Sequence, residues 1–166
     1  MKTKPIEQLR REVVSLLDRH KGRIIMICRA YAPEREDLED CFQDVAARIW
    51  EGYANFRGDC AENTWVYRVT INCAVNYSRR RSRRPRTVPL LDHDLIEEEC
   101  GNDANTRRLY AMIGRLNPFD KAIVLLWLES LPYAEIAAVM GMTPKNVSVR
   151  LTRIRLQLKS MASENK

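Results

Sequence analysis

The chain has 166 residues, 45% of them hydrophobic and 30% charged, the balance of an ordinary soluble globular protein of one domain or two small ones. A net charge of +6 and a pI near 9.2 point to an anionic partner. No stretch reads as a signal peptide or membrane span; RIIMICRAYA is too short to cross a bilayer and is broken by arginine, so the chain is expected to stay in the cytoplasm with no membrane insertion.

Apolar residues recur at helical spacing nearly everywhere, and no convincing strand alternation is present. Ile6, Leu9, Val13, Leu16 or Leu17, Ile24 and Ile27 predict a first helix within 5–30. Leu38, Cys41, Phe42, Val45, Ile49 and Trp50 predict the apolar side of a second. Its other side carries Glu36, Glu39, Asp40, Gln43 and Asp44. An acidic face repels DNA, so it either is merely solvated or meets a basic protein surface. GYANFRGD, with two glycines, reads as a loop.

A third helix has Trp65, Val69, Cys73 and Tyr77 along one side. Arg68, Asn72, Asn76, Arg79, Arg80 and Arg83, three or four residues apart, share another. It runs out in TINCAVNYSRRRSRRPR, with six arginines in its last eight residues. Asparagines between arginines add amide donors and acceptors to charge, a face able to hold phosphates and read bases. Ahead of it, NFRGDCAENTWVY offers aromatic rings that either stack on an unpaired base or pack in the core.

PRTVPLLDHDLIEEECGNDA has no sustained apolar face, and residues 85–104 are read as a flexible linker between a domain at 1–84 and a second at 105–166. Helical spacing returns with Leu109, Met112, Ile113 and Leu116, then a turn at Asn117–Pro118 and the apolar run FDKAIVLLWLES. In LPYAEIAAVMGMTPKNVSVRLTRIRLQLKS, Pro132 suits a helix start and Gly141 the position just past a helix end. Thr143 is the expected N-cap of the last helix, with Pro144 next. Two helices joined by a three-residue turn form a helix-turn-helix. Val147, Leu151, Ile154 and Leu158 are its expected buried stripe, leaving Lys145, Asn146, Ser148, Arg150, Thr152 and Arg153 outward. Lysine and asparagine near a recognition-helix N-terminus suit guanine and adenine edges in the major groove.

Cys28, Cys41, Cys60, Cys73 and Cys100 are odd in number and widely spaced, and His20 and His93 are isolated. Reduced, mostly buried thiols are expected, with no metal, no cofactor and no catalytic constellation. The fold class is therefore all-α: two small helical domains, the C-terminal one containing a helix-turn-helix.

DLEDCFQDVAARIW, FRGDCAENTWVYRVTINCAVNYSRRRSRR and LNPFDKAIVLLWLESLPYAEIAAVMGMTPKNVSVRLTRIRLQL, in that order, resemble the segments of a bacterial RNA polymerase sigma factor of the small extracytoplasmic-function (ECF) type within the sigma-70 family. The resemblance implies a non-enzymatic subunit that binds core RNA polymerase, recognises −35 and −10 promoter elements and melts the −10 region. Glu39, Asp40, Gln43 and Asp44 would then contact the polymerase, at the β′ clamp helices, and the β subunit would also be a partner. Phe56, Arg57, Gly58 and Asn63 would hold a flipped −10 base, and Arg68, Asn72, Asn76, Arg79 and Arg80 would meet −10 DNA. Lys145, Asn146, Ser148, Arg150 and Arg153 would face the −35 groove. An anti-sigma factor is a further implied partner. Cys41 and Ala46 stand where the family usually has larger apolar residues, Lys145 where it has glycine and Val149 where it has a small polar residue. The linker acids Asp92, Asp94 and Glu97–Glu99 suit a basic polymerase channel better than DNA. The alternative is a stand-alone helix-turn-helix regulator on duplex operator DNA, which leaves the acidic helix and the Asn/Arg helix without a task.

Overall fold

A computed structural model describes residues 5–83 and 103–164. The linker acids and Cys100 lie outside these residues. Seven α-helices and no strands occur among them, divided between two compact units.

Unit 1 is a three-helix packing of α1 (Ile6–Tyr31), α2 (Arg35–Tyr53) and α3 (Glu62–Ser82), each helix touching both others. Leu16, Ile24, Ile27, Cys41, Val45, Ile49, Val66 and Ala74 meet in its centre. A step of three and four residues aligns them on one side of each helix; on α3 the buried positions include Val66, Thr70 and Ala74, while Trp65, Val69 and Cys73, expected there by spacing, are half-buried. Pro33 ends α1, since the residue before a proline is pushed out of helical geometry; Ala32 sits at φ −140°, ψ 78°. Ile6 and Trp50, counted by spacing with the apolar stripes, are 76% and 40% exposed. Ile6 is the first residue of α1 and Trp50 lies in the last turn of α2, where the partner helices no longer cover them.

Three polar groups of unit 1 are buried with partners. Thr70 donates its hydroxyl to the Val66 carbonyl at 2.8 Å. His20 on α1 lies 3.6 Å from Glu62, which also pairs with Arg19 at 2.7 Å, so α1 is tied to the start of α3. Tyr77 donates its hydroxyl to Asp37 at 2.8 Å. Cys28 and Cys41 are wholly buried against each other, while Cys60 and Cys73 are half-buried; all four are free thiols. The Cys41 contact and burial push the Cys28 thiol far up, and burial pushes Cys73 up to about 11, so both stay protonated and poorly nucleophilic.

Unit 2 comprises α4 (Ala104–Gly114), α5 (Pro118–Leu128), α6 (Tyr133–Met140) and α7 (Pro144–Glu164). Helix α4 starts five residues ahead of its first predicted apolar position, because Asp103 caps it by accepting from Asn105 N–H at 3.3 Å. Helix α5 is the central strut: Ala122 to Leu126 are all buried, which requires apolar residues on every side. Asn117 caps it through Phe119 and Asp120 N–H. At the turn between α6 and α7, Gly141 adopts φ 67° and Met142 N–H reaches back to the Ala137 carbonyl at 3.0 Å. Thr143 then accepts from Asn146 N–H at 3.2 Å and starts α7. Val147, Leu151 and Ile154 are buried as expected, whereas Leu158 is half-buried.

Candidate nucleic-acid interface

On α3, Val66, Tyr67, Thr70, Ile71, Ala74 and Tyr77 face inward, which forces the remaining arc outward. Arg68, Asn72, Asn76, Arg79, Arg80 and Arg83 are all exposed on it. The arginine run is nonetheless not uniform. Arg80 forms an ion pair with Asp44 of α2 and lies 5.8 Å over the Tyr77 ring. Arg81 pairs with Asp37 at 2.7 Å, the same carboxylate that accepts from Tyr77. Burial first, and then this hydrogen bond, push the Tyr77 hydroxyl well above its ordinary range. Besides their apolar packing, the acidic and basic helices are thus joined by Tyr77–Asp37, Arg81–Asp37 and Arg80–Asp44. Helical spacing shows which residues share a face but not which face meets which across 36 to 44 residues of chain.

The acidic side of α2 presents Glu36, Glu39, Asp40 and Gln43 to solvent, with Arg35 paired to Glu39 at 3.1 Å. Asp44 is drawn toward α3 by Arg80. Four of the five polar residues on this side therefore form an open surface, and exposed Trp50 is on the same helix.

Between α2 and α3, Phe56 packs in an aromatic cluster with Tyr53 (6.2 Å between ring centroids) and Trp65 (5.2 Å). Trp65 closes down on the end of α2 because Gly52 has no side chain; a Cβ there would stand 3.0 Å from Trp65 Cζ2. Of the four residues expected to hold a base, Phe56 is half-buried in this cluster, while Arg57, Gly58 and Asn63, the last in the first turn of α3, are exposed. Tyr53 and Gly52 were not among the expected residues. The glycine signalled only a loop, since nothing in its neighbours announces a ring packed against it.

On α7, Lys145, Asn146 and Arg153 are exposed and Ser148 is half-buried. Arg150 is held differently: it pairs with Asp120 of α5 at 2.7 Å and lies 4.7 Å over the Phe119 ring. Asp120 in turn accepts from the amide of its cap, Asn117. Among the described residues no group of three or more His, Cys, Asp or Glu is placed to hold a metal ion, and no helix is long and apolar enough to cross a membrane.

An exposed Asn/Arg helix in one unit and a capped, basic helix-turn-helix in the other define a helical protein with two basic faces of the kind that suits nucleic acid. Residues 16–84 match Sigma-70 region 2, and residues 106–158 match Sigma-70, region 4. The chain is 30% identical to the ECF RNA polymerase sigma-E factor of Escherichia coli (strain K12), over 84% of this chain and 81% of that one. It is 28% identical to the ECF RNA polymerase sigma-E factor of Haemophilus influenzae, over 84% and 82%. In three dimensions it is similar to CnrH, solved in complex with the cytosolic domain of CnrY (TM-score 0.72, 20% identity, 95% of this chain and 91% of that one). It is also similar to the sigma factor RpoE of Bartonella quintana, solved in complex with the anti-sigma factor NepR (TM-score 0.65, 14% identity, 97% and 100%). The chain belongs to the sigma-70 family, as an RNA polymerase sigma factor of the ECF class.

Proposed function

We propose that unit 1 binds core RNA polymerase through Glu39, Asp40, Gln43 and Asp44 while its α3 stripe engages the −10 element, and that unit 2 docks α7 on the −35 element. The exposed stripe of Arg68, Asn72, Asn76, Arg79 and Arg80, opposite a buried apolar side, is the observation that carries this reading. Melting costs a few kcal/mol per extruded base. Phosphate contacts along the stripe offset it, together with capture of a base beside Phe56, Arg57, Gly58 and Asn63. The protein performs no covalent chemistry of its own and acts in the cytoplasm, with core polymerase (β′ clamp helices and β subunit), promoter DNA and an anti-sigma factor as partners. The two regions are proposed to be joined by a linker that starts at 85 and ends ahead of Asp103, the cap of α4, rather than at 104.

Run-off transcription with core polymerase and a pool of genomic promoters tests this. Promoter-dependent transcripts that require the chain are expected. Tight binding to a duplex operator without polymerase, and no transcript with it, would favour the stand-alone regulator instead.

A further inference from the structure

The exposed face of α7 is polar with a gap in it. Opposite the buried residues Val147, Leu151 and Ile154, helical geometry places Lys145, Val149, Thr152, Arg153 and Leu156 along one side. Val149 is 45% exposed there, in the second turn of the helix, with Lys145 one turn before it and Arg153 one turn after. A β-branched residue at an exposed helix position adds nothing to the core of unit 2 and is a weaker helix former than the lysines and arginines around it.

Two neighbours sharpen its setting. Thr152 donates its hydroxyl hydrogen to the Ser148 carbonyl at 3.0 Å, which leaves its methyl and an acceptor oxygen to a ligand. Arg150 is claimed by Asp120 at 2.7 Å and by the Phe119 ring, which directs its guanidinium toward α5. At mid-helix the outward side chains thus present the apolar Val149 and the methyl side of Thr152, flanked by the cations Lys145 and Arg153. Leu156 shares the azimuth but stands about 10 Å further along the axis, beyond the base pairs reached by the helix N-terminus. In the major groove the base edges carry one apolar group, the C5 methyl of thymine.

We propose that Val149 is a specificity-determining residue that packs on a thymine methyl within the −35 element, with the Thr152 methyl beside it, and that Arg150 braces α7 on α5 instead of reading a base. This rests on the reading of unit 2 as the −35-binding unit.

Replacing thymine by deoxyuridine deletes that methyl and nothing else, which gives the test. A −35 duplex is first selected from a random pool by the complex of core polymerase with the full chain. Each thymine in it is then replaced in turn, and binding is compared for the native chain, Val149→Ala and Val149→Thr. Alanine is the best helix former and Val149 is exposed, so the fold of unit 2 is retained, and its thermal midpoint checks this. The native chain is expected to lose about fourfold in affinity at one thymine, the value of one buried methyl group. Val149→Ala should bind the two duplexes equally, and Val149→Thr should keep most of the discrimination. An unchanged deoxyuridine penalty in Val149→Ala overturns the proposal, as does a selected element with no thymine sensitive to the replacement. Failure to select any −35 sequence would reject the underlying reading of unit 2 and the proposal with it.

Discussion

Ser130 and Gly141 solve the same problem with different residues. Each follows a helix end and takes a left-handed backbone, at φ 62° and φ 67°. Each is followed by a residue whose N–H returns to the helix, Leu131 to Leu126 and Met142 to Ala137. Gly141 was legible because glycine is the residue this geometry favours. Ser130 was not, because serine carries no such signal and the turn is set by the closure of α5. Ser130→Gly is expected to raise the thermal midpoint of unit 2, by about 0.5–1 kcal/mol of stability once the added freedom of the unfolded chain is counted. Gly141→Ala should lower stability by about 1–2 kcal/mol. Calorimetry on the two variants checks both signs. The residues proposed to face the −35 element divide in the same way: the exposure of Lys145, Asn146 and Arg153 follows from helical spacing, while the hold of Asp120 on Arg150 depends on how α5 crosses α7.

At the scale of elements, two connections decide how unit 1 responds to its surroundings. His20 joins α1 to α3, and burial above all depresses its pKa, with Arg23 and Arg19 acting in the same direction and Glu62 opposing them. The folded protein therefore holds a proton on His20 less readily than the unfolded chain does. Stability is expected to be fully present above the ordinary histidine value of about 6.5 and to fall as pH drops through it, levelling off below the depressed native value. Thermal melts from pH 8 to pH 5 should show this decline, and His20→Gln should flatten it between pH 7 and pH 5.5. The second connection joins α2 to α3. Asp37 is half-buried and serves both Tyr77 and Arg81, so Asp37→Ala is expected to cost about 1–2 kcal/mol by leaving the Tyr77 hydroxyl unpaired. Asp44→Ala should cost under about 1 kcal/mol, because Arg80 is exposed and Asp44 only half-buried, so water screens the pair. Equilibrium denaturation with urea separates the two. The helices themselves were legible in the sequence, since Leu38, Val45 and Ile49 keep the period on α2, but on α3 the expected stripe of Trp65, Val69, Cys73 and Tyr77 lies at the edge of the buried side, which centres on Val66, Thr70, Ala74 and Tyr77. The connections were not, since Asp37 and Tyr77 are 40 residues apart and look alike to any periodicity.

For the whole molecule, the division of labour follows from charge. Phosphate contacts make DNA affinity fall with salt, with a slope of about −0.9 per duplex phosphate neutralised. Converting both Arg79 and Arg83 to Ala is expected to reduce the slope for promoter binding by the complex with core polymerase by about two, if each guanidinium meets one phosphate, while leaving preference among −35 sequences unchanged; a salt titration on two promoters reads both. Asp40→Lys should weaken capture of core polymerase about tenfold without unfolding unit 1, because Asp40 is exposed on α2. Co-sedimentation with core polymerase and the circular dichroism spectrum report these separately. That the chain is built from two helical units was readable from the change of composition after Arg84 and the return of helical spacing at Leu109.

The ion pair between Asp44 and Arg80 has a thermodynamic consequence. A partner that takes Asp44 releases a cation on α3, and one that takes Arg80 releases an anion on α2. The two binding events then draw on a common free energy, and linkage makes the effect mutual: each ligand strengthens the other by the same factor. With both side chains largely in water the factor is modest, about twofold to fivefold. In a four-sided cycle of core polymerase and a −10 oligonucleotide, Asp44→Asn should bring it close to one. Glu36→Gln, an equal change of charge elsewhere on α2, should leave it unaltered.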